Sequence, residues 1–381
     1  MRIAIFSEVY WPMVSGVGVT LDRTVAALMA RGHDLRVYSA SYALPPGVPE
    51  RPEAHRSPSV PLFLYPDVQW AFPRQGEVVE DLARFAPDVV HLATEFAMGL
   101  SGLKAARQLN LPLIASAHTD YNKYAARYGV RWVLRMGWIY ARWFYGHADR
   151  VLVPSRYFQR VLAQQGVSHT GLWTRGVDPL HFHPRFRSEA WRARFGVGRD
   201  DLLVTYIGRL AREKDIPRLL RAWEALKGER GNAQLVLAGQ GPLAEGLTRR
   251  PVPGVHLAGL LSGRELSEAY ASADLFVFPS ATETFGNSLL EAMAAGLPSL
   301  AVTAGGVMEF ARHNENAWLT RPQDTEALTQ GLRRLLQDEA LRRRLAAGGL
   351  ATAASRGWDA IHDQLLADYA WVAARRARRA A

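Results

Sequence analysis

Short apolar runs, each leading through a loop into a helix-length segment, recur along this 381-residue chain. Ile3–Phe6, Leu35–Tyr38, Val89–Leu92, Leu113–Ser116, Arg150–Val153 and Gly171–Thr174 form one series. A second runs through Leu202–Ile207, Leu235–Leu237, Val255–Leu257, Leu275–Phe278 and Pro298–Val302. Brief apolar runs without alternation read as strands covered on both faces, which a parallel sheet between helix layers provides. Strand alternating with helix therefore predicts an α/β fold with right-handed crossovers. The chain is too long for one ordinary core, so two domains are expected, residues 1–178 and 179–357, followed by a helix over 358–381. The basic segment His181 to Arg194, with Pro184 inside it, reads as irregular and as the hinge. Pro45 to Pro61, rich in proline and polar residues, reads as a surface loop.

Within the second series one stretch carries chemistry: Glu283-Thr-Phe-Gly-Asn-Ser-Leu-Leu-Glu291. It follows the strand Leu275–Phe278 and opens a helix predicted over Asn287 to Ala295, with Asn at its start and Gly296 past its end. A helix start offers N–H groups without internal partners, which suits an anion. Carboxylates beside such a site suit the hydroxyls of a sugar, because a carboxylate accepts two hydrogen bonds from a diol. A phosphate flanked by polyols is a nucleotide sugar. Taken singly, Glu283 reads equally as a solvated loop residue and Glu291 as a surface helix residue. Arg209 and Lys214 leave the carboxyl end of Leu202–Ile207, where ligand crevices of open α/β sheets lie, and there suit a diphosphate clamp, although a basic loop taken alone reads as solvent-exposed.

In the first series, Gly16 and Gly18 follow the first strand, but Leu21 holds the third glycine position and Tyr38-Ser39-Ala40 ends the second strand without an acid. A dinucleotide cofactor is therefore not expected, although Gly16 still permits close approach of a backbone to a ligand. Gly239-Gln-Gly241 lacks the acid as well and reads as a tight β-α turn. His118 follows the strand Leu113–Ser116 and reads as a crevice residue or as a capping or packing histidine. From Tyr121 to His147, aromatic residues alternate with arginines; at helical spacing Arg127, Arg131, Arg135 and Arg142 fall within about 80° of arc. Such a face suits an anionic membrane surface, or is a solvated basic face over an aromatic core.

The chain has no cysteine, which excludes disulfides and thiolate metal sites. Met1–Phe6 runs straight into a strand with no signal-peptide pattern, and no apolar stretch spans a bilayer, which fits a cytoplasmic protein. A net charge of +10 favours an anionic partner without choosing among nucleic acid, lipid and phosphorylated substrate. No zinc finger, RNA-binding strand motif or basic zipper accompanies it. The basic cluster Arg375–Arg379 reads as a solvated terminus.

Together these residues resemble the retaining GT-B glycosyltransferases, and among them the GT4 family, over nearly the whole chain. Glu283 to Glu291 is similar to the family's Glu-x7-Glu motif, Gly208-Arg209 with Lys214 to its diphosphate clamp, Gly16 to its N-domain glycine loop and His118 to its active-site histidine. Gly176-Val177-Asp178 resembles the segment leaving the N-domain. Thr284-Phe285-Gly286-Asn287 stands where Gly-Phe-Gly is commoner. That wording, with His118-Thr119-Asp120-Tyr121 and the Trp/Arg-rich stretch, is similar to members that glycosylate lipids, including mannosyl- and sulfoquinovosyl-diacylglycerol synthases.

The resemblance implies two Rossmann-like β/α/β domains facing across a cleft, with the C-terminal helix returning to the N-terminal domain. It implies transfer of a hexose from GDP-mannose or a UDP-hexose to an acceptor, a membrane glycolipid precursor, with retained anomeric configuration. Glu291 would hold the ribose, Glu283 the donor sugar, and Arg209 and Lys214 the diphosphate, helped by the N–H groups of Phe285, Gly286, Asn287 and Ser288. Leu261 would lie near the base, Gly16 among the donor contacts and His118 near the reacting carbon. No Asp-x-Asp occurs and no His/carboxylate cluster has metal spacing, so neither metal nor cofactor is expected. The expected partners are the sugar nucleotide and a lipid acceptor at an anionic membrane surface, without nucleic acid, and the expected location is the cytoplasm, peripheral on the inner face of the cell membrane. A sugar-nucleotide epimerase, which needs no acceptor, and a glycan phosphorylase, which consumes phosphate, are rival readings on the same fold. A basic nucleic-acid-binding protein is the non-enzymatic rival.

Overall fold

The computed structural model describes residues 1–381 except 14, 45, 63–64, 119–130 and 381, with backbone alone at 65–67, 131–134, 377, 379 and 380. The chain forms two compact units, Met1–Thr174 with Asp359–Ala381, and Arg175–Trp358.

The first unit begins with β1 (Arg2–Ser7), α1 (Gly16–Ala30), β2 (Asp34–Ala40), β3 (Ala54–Ser57), β4 (Ser59–Leu62), β5 (Tyr65–Ala71) and α2 (Gln75–Phe85). It continues through β6 (Val89–Leu92), α3 (Ala97–Gln108), β7 (Leu113–Ser116), α4 (Arg131–Tyr145), β8 (Arg150–Val153), α5 (Arg156–Gln164) and β9 (Thr170–Leu172). Seven parallel strands lie in the order β3-β2-β1-β6-β7-β8-β9, while β4 and β5 pair antiparallel. The inner strands β6 and β7 are buried along their whole length, as their unbroken apolar runs require.

Two readings need correction here. The segment Pro45 to Pro61 is not all loop, since it contains β3 and begins β4. β3 is short and polar and lies at the edge of the seven-stranded sheet, where Arg56 donates to Ser39 Oγ at 2.6 Å, while β4 pairs with β5 apart from that sheet. The residues after Gly18 read as a helix from about Val19 to Ala30, but α1 begins at Gly16, because Ser15 caps it by accepting from the Gly18 N–H at 3.0 Å.

The second unit holds α6 (Glu189–Ala193), β10 (Leu203–Ile207), α7 (Ile216–Ala225), β11 (Gln234–Ala238), α8 (Ala244–Arg249), β12 (Val255–Gly259), α9 (Gly263–Ala271) and β13 (Leu275–Phe278). It ends with α10 (Asn287–Ala294), β14 (Ser299–Val302), β15 (Trp318–Thr320), α11 (Thr325–Gln337) and α12 (Glu339–Ala354). Its six parallel strands run β12-β11-β10-β13-β14-β15. The segment His181 to Arg194 is not irregular throughout, because it forms a 3-10 turn over Pro184–Phe186 and then α6. The side chain of Arg192 is fully buried there and pairs with Asp274 at 2.7 Å, which fastens α6 to the second unit.

The last helix, α13 (Trp358–Ala380), packs in the first unit: Leu365, Tyr369 and Val372 share a core with Ile3, Ile5, Leu21 and Ile114. Among the described residues no helix is long and apolar enough to cross a membrane.

Candidate active site

In an open parallel sheet a crevice forms where strand order reverses, beyond the carboxyl ends of the two strands there. In the second unit these are β10 and β13, paired at Val204 and Leu275. The loop after β10 carries Arg209 and Lys214, and the loop after β13 carries Glu283, so topology alone puts them at one sheet edge.

Local bonds then fix the loops. The Tyr206 hydroxyl donates to the Arg209 carbonyl at 3.0 Å. A 3-10 turn over Arg212–Lys214 follows, and the Thr282 hydroxyl donates to the Glu213 carbonyl at 3.0 Å, tying one loop to the other. Lys214 Nζ meets Glu283 Oε1 at 2.5 Å, with side-chain exposures of 23% and 18%. The Gly306 N–H donates to the Glu283 carbonyl at 2.9 Å and holds that loop from its other side.

Helix α10 starts one residue beyond Gly286, whose φ of +106° is the left-handed region that glycine tolerates. Asn287 is therefore the first helical residue, and no side chain caps this helix. Phe285 is buried against Phe310, with ring centroids 5.2 Å apart, so only its backbone can serve a ligand. One turn into α10, Glu291 Oε2 accepts from the Tyr270 hydroxyl at 2.8 Å. Burial first, and then the neighbouring Glu291 carboxylate, hold the Tyr270 phenol well above its ordinary pKa, so it remains a donor. Burial does the same for Tyr206, reinforced by Glu283 and Glu213.

Of the expected site residues, Lys214 and Glu283 are in contact, Arg209 shares the Lys214 loop, and Glu291 stands on the helix that Gly286, Asn287 and Ser288 begin. Leu261 is buried in the core beyond β12, while its neighbour Leu260 is exposed. Gly16 and His118 belong to the first unit: Gly16 opens α1, and the His118 ring lies 5.9 Å from that of Trp173. Thr119, Asp120, Tyr121 and Arg127 lie outside the described residues, as does the side chain of Arg131.

The sequence reading missed Tyr270 and Thr282, because each acts through a contact distant along the chain, and Tyr206, whose hydroxyl turns back on the loop just after its own strand. It also missed Glu8. The strand order of the first sheet reverses between β1 and β6, and there Glu8 accepts hydrogen bonds from the Thr94 hydroxyl and the Met98 N–H. Burial pushes its carboxyl up to about 7, and nearby Glu95 adds to the shift. Among the described residues no group of three or more His, Cys, Asp or Glu could hold a metal ion.

Residues 14–180 match the family model described as Glycosyltransferase Family 4, and residues 187–350 the model for Glycosyl transferases group 1. A GDP-mannose-dependent alpha-mannosyltransferase of Mycobacterium tuberculosis is 32% identical over 100% of this chain and 99% of its own. An alpha-monoglucosyldiacylglycerol synthase of Streptococcus pneumoniae is 28% identical over 79% of this chain and 71% of its own. The solved structure of sucrose-phosphate synthase from Thermosynechococcus elongatus superimposes with a TM-score of 0.78 at 22% identity, covering 98% of this chain and 100% of that one. A sequence match along the full length, on two sheets of this topology, makes the chain a GT-B glycosyltransferase that belongs to the GT4 family.

Proposed function

We propose that the protein moves a hexose from a nucleoside-diphosphate sugar, GDP-mannose or a UDP-hexose, to a glycolipid precursor, with retention and without a metal ion. The observation that carries this is the Lys214–Glu283 contact at the reversal point of the second sheet, with Glu291 one turn into the adjacent helix. An ammonium has three donors and the bond to Glu283 uses one, so Lys214 can also serve a diphosphate. Glu283 and Glu291 then suit the sugar hydroxyls and the ribose, and the start of α10 adds N–H groups toward the charge that grows on the leaving diphosphate. Gly16 and His118 of the first unit are assigned donor contacts, and Leu261 the neighbourhood of the base. The mannosyltransferase relative uses GDP-mannose by name, which favours that donor.

A lipid acceptor is favoured by the diacylglycerol named in the second relative and by α4. Met136, Ile139 and Trp143 are exposed on one face of α4, at 56%, 42% and 49%, with Arg135 and Arg142 exposed beside them. Its other side buries Trp138, Ala141, Phe144 and Tyr145. An outward apolar stripe flanked by arginines suits an anionic bilayer surface, and a peripheral position at the inner face of the cell membrane follows.

The test is a thermal-shift screen across UDP- and GDP-sugars, after which a lipid extract is added to the best donor and the anomeric product is assigned. Expected is a donor-dependent shift, then an α-linked glycolipid that forms equally well in EDTA. Absence of transfer to any lipid fraction would remove the acceptor assignment, and loss of activity in EDTA with recovery on adding magnesium would remove metal independence.

A further inference from the structure

The first unit has a basic cavity that none of the residues assigned above enters. It measures about 740 Å³ and runs along β9, between α5 and α13. Because β9 is an edge strand, its outer N–H and carbonyl groups have no partner strand among the described residues. Arg150, Arg156 and Arg160 line the cavity together with Gln159, Thr170 and Gln364, and among the described residues no acidic side chain lines it.

Each arginine is there for a readable reason. Arg156 and Arg160 are four residues apart on α5 and so stand one above the other, an arrangement of like charges that an anion between them relieves. Both are exposed, and neither forms an ion pair with an acidic side chain among the described residues. Arg150 is held instead: its Nε lies 3.1 Å from Asp368, and its guanidinium sits 5.3 Å from the Trp371 ring centre. A Cβ on Gly171 of β9 would come within 2.5 Å of that Nε, so the glycine is what lets the guanidinium lie against the edge strand. Helix α13 offers the cavity its uncharged Ala360, Ile361 and Gln364, while its acids Asp359 and Asp363 pair with Arg31. The Gln159 amide donates to the Thr170 hydroxyl at 3.0 Å, which fixes that side chain at the wall.

We propose that this cavity binds the phosphate group of an organic phosphate. Guanidinium forks match phosphate oxygens two at a time, and the amide of Gln364 can add a donor. The volume lies in the range of small-molecule sites, larger than bare phosphate needs, so the ligand carries an organic part. A free phosphate ester and a phospholipid headgroup share this chemistry. The site is independent of the donor site proposed around Lys214.

The test uses the full chain in three forms: wild type, Arg156→Gln with Arg160→Gln, and Lys214→Ala as a control for the donor site. Each is titrated calorimetrically with glycerol 3-phosphate at low salt, and each is floated with vesicles of phosphatidylcholine with or without phosphatidylglycerol. Both arginines are exposed, so the double variant is expected to melt like wild type. The expected result is at least tenfold weaker binding in the double variant in one of the two arms, with Lys214→Ala matching wild type. Loss in the calorimetric arm identifies a soluble ester, and loss confined to the phosphatidylglycerol vesicles identifies a lipid headgroup. Equal behaviour of wild type and double variant in both arms, whether both bind or neither does, overturns the proposal.

Discussion

Lys214→Ala separates chemistry from folding. A partly exposed ion pair such as Lys214–Glu283 contributes only about 0–1 kcal/mol to stability, which shifts a melting midpoint by no more than roughly 2–4 °C in a unit of this size. A cation aimed at charge that develops on a departing diphosphate is worth roughly 10²–10³ in rate. The variant should therefore melt almost like wild type and turn over about a hundredfold to a thousandfold more slowly, as read by calorimetry and initial rates; wild-type turnover would refute the role. Gly239→Ala should do the reverse. Gly239 has φ +135°, and a Cβ there would sit 2.0 Å from the Gly208 carbonyl oxygen on the neighbouring strand end. Strain and overlap together should cost roughly 3 kcal/mol, measured by denaturant titration, before any effect on chemistry. Sequence made the tight turn at Gly239 legible, but not its contact with Gly208. Turn chemistry is local, whereas that contact needs β10 and β11 side by side. Tyr270 escaped for the same reason: its bond to Glu291 joins two helices and leaves no periodic trace.

At the scale of elements, apolar runs revealed the buried strands and the edge strands β9 and β12, and missed the edge strands β3 and β15. β3 and β15 are short, and one side of each lies at a sheet margin, so neither needs an unbroken apolar run. Glu8 joins two elements, since it follows β1 and its carboxylate accepts from the N–H of Met98 in the first turn of α3. A helix start favours a carboxylate, but here burial outweighs it and the pKa rises from 4.5 to about 7. Below about pH 4.5 the group is protonated both folded and unfolded, and its stabilising contribution is complete. Between that value and about 7 the unfolded chain releases the proton while the folded chain keeps it, so stability falls as pH rises, by on the order of 3 kcal/mol in all. Glu8→Gln retains an acceptor for Met98 and cannot ionise. Melting followed from pH 5 to 8 should lose this slope in the variant, which should be the more stable protein above pH 7. An unchanged slope would assign the proton to another group.

For the whole molecule, the order of the chain is not the order of its units, because the last helix belongs to the first of them. Helix α13 contributes Leu365, Tyr369 and Val372 to a core otherwise built mainly from β1, α1, β2 and β7. Each buried side chain of this size is worth about 1.5–3 kcal/mol, so together they approach the roughly 5–15 kcal/mol of a typical domain. The Tyr369 hydroxyl also meets His91 Nδ1 at 2.7 Å, and His91 Nε2 meets Ser116 Oγ at 2.6 Å, a chain of buried polar groups from the last helix into the middle of the sheet. Tyr369→Phe keeps the ring packing and strips one partner from His91, which should cost about 1–3 kcal/mol in the first unit. Deleting residues 359–381 should go further and abolish the melting transition of the first unit. The cores of Arg175–Trp358 include none of the deleted side chains, so the second transition should survive with its midpoint nearly unchanged. Calorimetry of the shortened chain decides the matter: two transitions would mean that the first unit folds without α13, and none would mean that the units unfold as one.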